Sequence, residues 1–409
     1  MKINIPYAGE EVEVEVDDEK VNAVLYPNEM EKKDENEVIL EALENPIGKP
    51  SFSEFITDGT LFIVNDATRP TPTARILELV KEDIQKYDVK FIVALGSHRE
   101  PTEQEYEQIF GEIYELEKEN IYHNDAKNDE MVDYGKTKRG TPVKFNKIVA
   151  EAENVVAINT VEPHYFAGFT GGRKSFLPGV ASYETITANH EFTLKKEAKT
   201  LKLKGNPVHE DMVESFNKYE GDVFAINMTL DKDGDVHSAT AGEMEESFMN
   251  EVEVSKKVFG VSINERSEVV VTAAHPIDVN LYQSHKALEN GKLALKDGGI
   301  IILVSACPDG IGPRNFYDLM ASMDTPESVM EKIEEEYKLG YHKAAKMVEV
   351  CESSSMWCVS ELDRDVTEKA FIQSKEDIQT AIDEALAETD GKVTFLIEGG
   401  MVVPKLKER

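Results

Sequence analysis

Apolar runs of strand length recur along this chain, each closing on glycine or polar residues and leading into a segment with helical spacing. The runs are "LFIVNDATRP", "FIVALGSHREPT", "NVVAINTVEPH", "DVFAINMTL", "EVVVTAAHP" and "GIIILVSACPDG". Their Val, Ile and Leu content is continuous rather than alternating, as in strands covered on both faces by helices, and the amphipathic stretches between them supply those helices. The predicted class is α/β with mostly parallel sheets. "EVEVEV" near the start is different. It alternates, as an antiparallel strand wetted on one face does, so the first segment is expected to form a decorating hairpin or edge.

At 409 residues and 41% hydrophobic, the chain exceeds one ordinary core and is expected to divide into two α/β domains. The charged, strand-poor stretch "NEVEVSKKVFGVSINERS" sets the boundary near residue 265. The N-terminal domain is then 1–265 and the C-terminal domain 266–409. The last segment, "KVTFLIEGGMVVPKLKER", reads as one more strand and a Gly-Gly turn that crosses back onto the first domain.

Charge narrows the partners. With 79 acidic and 45 basic residues the net charge is −34, a field that repels nucleic acid and anionic membrane. A small anion can bind such a chain only where cations gather locally, and Arg69, Arg99, Arg173, Lys174 and Lys286 all lie in or beside polar turns. No apolar run approaches the ~18 residues of a membrane span, and the start lacks a secretory apolar block. A cytoplasmic protein is the expectation. Cys307, Cys351 and Cys358 lack paired metal spacing and are read as reduced and structural.

In parallel α/β sheets ligands gather outside the carboxyl ends of strands, and Asp66, His98, His164 and His275 each follow an apolar run. The segment "VEPHYFAGFTGGRKSFLPGV" fits a phosphate loop from Gly168 onward, except that Arg173 stands where that motif needs glycine. An ATP loop is the lesser reading. Gly171 and Gly172 permit close backbone approach to a ligand. Lys174 follows His164 and precedes His190, so one segment can present an imidazole, an amine and a second imidazole. "GVASYETITANHEF" predicts a helix capped by Ser182 with His190 about two turns in. In "NDATRPTP", Asp66 reads either as the cap of a turn or as part of a rigid mount for Arg69, suited to a carboxylate or phosphate. His98 and His164, on neighbouring strand ends, can flank one substrate as proton-transfer groups. Gln283 and Lys286 share a face at a helix start and can orient an anion. His123, His209, His237 and His342 are read as structural.

Taken in order, "DATRP", "GSHR", "EPHYFAGFTGGRKSFLPG", "NHEF" and "YQSHK" resemble the nickel-pincer lactate racemase family over nearly the whole chain. The resemblance implies two α/β domains with the active site in the cleft between them. It also implies a nickel-pincer nucleotide, a nicotinate-derived mononucleotide that holds nickel through two sulfurs and a ring carbon. Lys174 would carry it through a thioamide, and His190 would ligate the nickel, for which imidazole is a suitable donor. Asp66, Ala67, Thr68 and Arg69 would lie against the cofactor. His98 and His164 would be the acid/base pair, and Arg69, Gln283 and Lys286 would hold the substrate. The implied activity is that of an isomerase, racemising or epimerising a 2-hydroxy acid by reversible hydride transfer. Its partners would be that small molecule and the enzymes that make the cofactor. The residues alone leave rivals: a metal-dependent hydrolase with Asp66, His98, His164 and His190 as ligands, an ATP-dependent enzyme on the near-miss loop, and a catalytically silent carrier of small anions.

Overall fold

The computed structural model describes residues 1–407. Two compact units emerge: Glu29–Val258, and Met1–Asn28 together with the chain from Phe259 onward. In the first, six strands form one sheet in the order Val236–Gly242, Asp222–Leu230, Asn154–Thr160, Leu61–Asn65, Lys90–Ala94, Ile121–His123. All neighbours are parallel except Val236–Gly242, which pairs antiparallel at the edge. Leu61 to Val64 are buried without alternation, because helices cover the sheet. Ile39, Ile76, Leu77, Ile109 and Phe110 pack against strand residues Phe62, Phe91 and Phe224 in one core, where the Phe62 and Phe91 rings stack with centroids 5.0 Å apart.

The second unit carries an all-parallel sheet in the order Gln373–Ser374, Ser355–Val359, Leu295–Val304, Ser267–Ala273, Val393–Leu396, Val21–Leu25. The alternating start of the chain is the antiparallel hairpin Lys2–Tyr7 with Glu10–Glu15. Its Ile3, Ile5 and Val14 enter the core of this sheet, and its glutamates face water.

The domain boundaries differ from expectation. The charged stretch at the predicted boundary is mostly the helix Met244–Phe259, which buries Phe248 and Val252, and the division falls at residues 258 and 259 rather than 265. Residues 1–28 leave the N-terminal domain, because Val21–Leu25 finds its strand partner in Val393–Leu396. The last strand pairs with residues that the expected boundary had placed in the first domain. Val403–Leu406 pairs with Gly260–Ile263 inside the same unit.

One buried polar knot steadies the first unit. Asp211, with no exposed surface, accepts hydrogen bonds from Thr137 Oγ1 at 2.6 Å, Thr141 Oγ1 at 2.8 Å and Asn189 Nδ2 at 2.9 Å. It joins the turn between strands Met131–Lys136 and Pro142–Asn146 to the helices Pro207–Phe216 and Tyr183–Glu191. Removing the acceptor leaves buried donors without partners, so Asp211→Ala is expected to destabilise this unit by about 3 kcal/mol or more. Urea unfolding followed by circular dichroism measures this, and a loss under about 1 kcal/mol would contradict the assignment.

Candidate active site

Strand order decides which polar turns become neighbours. Leu61–Asn65 lies between Lys90–Ala94 and Asn154–Thr160, so the turn carrying Asp66 separates those carrying His98 and His164. The two histidines therefore do not leave neighbouring strands. Asn65 Nδ2 donates to Thr71 Oγ1 at 2.7 Å, whose hydroxyl lies 3.1 Å from that of Thr160. These bonds lock two of the strand ends together. Gly96 N donates to Gly179 O at 2.9 Å, which fastens the His98 turn to the segment that follows Lys174.

Asp66 is both a cap and a partner. Its Oδ1 accepts from Thr68 N at 2.9 Å and from the Thr68 hydroxyl, while Oδ2 lies 2.6 Å from His98 Nδ1. Burial pushes the carboxyl pKa up, but the His98 contact, the Thr68 hydroxyl and the charge of Arg69 outweigh it and hold the group at about 2. The pairing of Asp66 with His98 is invisible in sequence. Arg69 stays exposed and follows a turn closed by Arg69 N to Asp66 O at 3.1 Å, and Ala67 packs against the core below.

A second group forms around an aromatic ring that sequence reasoning passed over. Phe166, 3% exposed, meets His164 edge-on at 4.4 Å and 84°, and His190 at 5.2 Å and 68°. Lys174 Nζ lies 5.8 Å from the same ring. The only signal in the sequence was an aromatic two residues after a histidine. His190 stands in the last turn of Tyr183–Glu191, whose cap is Ser182 as predicted. Burial, then the Lys174 charge, lowers the His190 imidazole to about 3. Burial, then Arg69 and Arg173, holds the Lys174 amine well below the ordinary lysine range. The His190 imidazole is therefore neutral at physiological pH.

Arg173 is not the anion-binding cation that its charge suggested. It is 2% exposed and donates to Gly171 O, Ala167 O and Phe169 O, each at 3.0 Å, with its guanidinium 4.6 Å from the Phe248 ring centroid. Arg99 is likewise committed, to Glu105 at 2.7 and 2.8 Å. The glycines serve the chain's own packing rather than a ligand. At Gly168, φ +79°, a Cβ would sit 2.3 Å from Lys202 O, and at Gly171, φ +81°, 2.7 Å from Val161 Cγ2. Three of the loop amides are taken within the chain: Thr170 N donates to Glu162 O, Lys174 N to Gly171 O and Gly172 N to Asn227 Oδ1.

Gln283 and Lys286 belong to the other unit, on the helix Leu281–Lys292 capped by Asn280. Gln283 is exposed and Lys286 half-buried. Among the described residues, no three His, Cys, Asp or Glu side chains are grouped so as to hold a metal ion. The four ligands of the hydrolase reading separate into an Asp66–His98 pair and two imidazoles flanking Phe166.

Comparison with known proteins follows the same lines. Residues 7–201 match the family model of the lactate racemase N-terminal domain, and residues 263–403 that of the lactate racemase C-terminal domain. The chain is 34% identical over 345 residues to the lactate racemase of Thermoanaerobacterium thermosaccharolyticum, covering 81% of this chain and 80% of that protein. It is 32% identical, with the same coverage, to the lactate racemase of Lactiplantibacillus plantarum. The structure of the T. thermosaccharolyticum lactate racemase apoprotein superposes with a TM-score of 0.92 at 30% identity, over 99% of this chain and 100% of that one. A Thermotoga maritima protein with 17% identity shares the fold, with a TM-score of 0.67 over 91% of this chain and 97% of its own.

The Asp66 carboxyl is held at about 2 in the folded chain against an ordinary 3.8. A depressed carboxylate contributes stability above its unfolded value and loses it as pH falls through the folded one. A shift of this size is worth roughly 2–3 kcal/mol. Asp66→Asn is therefore expected to be less stable than the parent at neutral pH by about that amount, with the gap shrinking towards about pH 2. Urea titrations at both pH values decide it, and a gap independent of pH would count against the paired carboxylate.

Proposed function

This chain belongs to the lactate racemase family, and on that premise we propose that it interconverts the enantiomers of lactate or a closely related 2-hydroxy acid. One observation carries the reading: His164, Lys174 and His190 pack about the single ring of Phe166, within the unit that also holds the Asp66–His98 pair.

The donor set fits a nickel-pincer nucleotide. Lys174 has an amine that burial lowers well below the ordinary lysine range, towards the neutral form that attachment through a thioamide requires, and His190 has the neutral imidazole that ligates a metal. Asp66, Ala67, Thr68 and Arg69 would offer the surface for the cofactor, with the Asp66 carboxylate held in place by His98 and Thr68. When bound, the group supplies a reversible acceptor for the hydrogen on the substrate's C2.

The remaining tasks fall to the chain. Hydrogen on C2 is a poor proton beside an anionic carboxylate, so the side chains act on the hydroxyl instead. His98, oriented through Nδ1 by Asp66, takes the hydroxyl proton at Nε2. His164 attends the same oxygen from the side of Phe166, as the other member of the acid/base pair. Arg69 holds the carboxylate while the planar 2-keto acid turns over and its proton returns. The enzymes that make the cofactor are partners in this reading, and the site of action is the cytoplasm. Among the described residues no helix is long and apolar enough to cross a membrane.

Chain produced together with cofactor-synthesis enzymes is expected to carry an adduct on Lys174 and about one nickel per chain. It is expected to equilibrate either lactate enantiomer in a chiral assay run against a panel of 2-hydroxy acids. Fully active protein with unmodified Lys174 would end the tether assignment. In chain without cofactor, acetic anhydride is expected to modify Lys174 at lower pH than the exposed Lys2. Peptide mass spectrometry reads this, and equal pH dependence at the two sites would refute the lowered amine.

A further inference from the structure

Lys174 stands in a turn that the sheet holds at both ends, and we infer that Asn159 and Asn227 are its positioning residues, two buried carboxamides on adjacent strands that clamp Gly172–Ser175 and so aim the amine. The inference rests on the reading that Lys174 carries the cofactor, and it adds the parts of the chain that fix where that amine stands.

The pair begins as a short repeat. Strands Asn154–Thr160 and Asp222–Leu230 both carry the triplet Ala-Ile-Asn, at 157–159 and 225–227. They are parallel neighbours with the triplets in register, Ala157 with Ala225, Ile158 with Ile226 and Asn159 with Asn227. Side chains at one register position leave the same face of a sheet, so the two carboxamides stand side by side near the carboxyl ends of their strands. Asn159 is 1% exposed and Asn227 wholly buried. Burying a carboxamide is unfavourable unless its polar atoms find partners, and here the partners include the turn that bears Lys174.

Asn227 Oδ1 accepts from Gly172 N at 3.0 Å, and Asn159 Oδ1 accepts from the Ser175 hydroxyl at 2.6 Å. Gly172 and Ser175 are the first and last residues of the turn. Lys174 lies between these two fixed points, with its own N–H donating to Gly171 O at 3.2 Å and its carbonyl accepting from Gly179 N at 3.0 Å. The orientation of Asn227 is set from the far side. Ser247 donates its hydroxyl to Glu243 O at 2.6 Å and therefore meets Asn227 as an acceptor, taking a hydrogen bond from Nδ2 at 3.0 Å. That leaves Oδ1 turned towards the Gly172 amide. The turn is seated without slack, since a Cβ at Gly172 would stand 2.9 Å from the Phe248 ring. Arg173 gathers the carbonyls that precede the turn, whereas the asparagines hold the turn itself.

The test uses the full chain with Asn159→Leu and Asn227→Leu, which keep a branched side chain and remove its hydrogen bonds, and with Asn159→Asp and Asn227→Asp, which keep the acceptor. Circular dichroism checks folding, and acetic anhydride labelling is followed against pH at Lys174 and at the exposed Lys2. In the folded Leu variants the Lys174 profile is expected to move up towards that of Lys2 by about one pH unit or more, because a released amine regains water. The Asp variants are expected to restore the parent profile. Ser175→Ala removes a single hydroxyl and is expected to move the profile the same way by less. A parent profile in the folded Leu variants, or in Ser175→Ala where those do not fold, would overturn the clamp. Chain produced together with cofactor-synthesis enzymes gives a second readout. Turnover per bound nickel is expected to fall about 10²-fold in the Leu variants, as for a group misplaced by about 1 Å, with KM for the 2-hydroxy acid changed less than about twofold. The Asp variants are expected to recover to within about tenfold of the parent. A loss confined to KM would overturn the inference. An active parent without an adduct on Lys174, beside the expected labelling, would instead overturn the tether reading alone.

Discussion

A buried guanidinium shapes the segment on which the site depends. Arg173 is sealed from water by Phe248 and its own loop, and burial lowers its pKa to about 9. A desolvated cation is tolerated when hydrogen-bonded, and three carbonyls of the loop turn inward to meet it. Those carbonyls set the direction of the peptides between Ala167 and Gly172. The glycines follow from the same arrangement, because a loop drawn this tightly around one side chain has no room for Cβ atoms at Gly168 or Gly171.

From that loop the chemical states of the neighbouring groups descend. Arg173 adds to the desolvation that lowers the Lys174 amine well below the ordinary lysine range, and Lys174 adds to the burial that lowers the His190 imidazole to about 3. The carboxylate behind His98 is the opposite case. Asp66 is also buried, yet an imidazole, a hydroxyl and a nearby arginine keep it ionised. Similar burial thus lowers an amine and an imidazole yet leaves a carboxylate ionised, and the partner at hydrogen-bonding distance decides which. The site is differentiated by second contacts more than by the residue types that line it.

Much of the architecture was legible in the chain. Continuous apolar runs became parallel strands buried on both faces, the alternating start became a half-wetted hairpin, and Ser182 capped the helix that carries His190. The order of the strands was not legible, and with it went the domain boundary, the home of residues 1–28 and the separation of His98 from His164 by the strand of Asp66. Residue patterning describes which faces of a strand are dry and says little about which distant strand will pair with it. At the site, the motif residues were recognisable as a set, but Phe166 and Asp211 were not, since each acts through packing or a hydrogen bond to a residue far from it in the chain.

The sequence by itself determined the class of fold, the edge of the sheet where chemistry gathers and the inventory of imidazoles, amine and guanidinium there, because these follow from periodicity over a few residues and from side-chain type. Only the tertiary structure decided what those groups are. Arg173 became a structural cation, Lys174 an amine lowered well below the ordinary lysine range, and Asp66 the partner of His98, because charge state and hydrogen-bond direction depend on desolvation and on neighbours that the chain brings in from elsewhere.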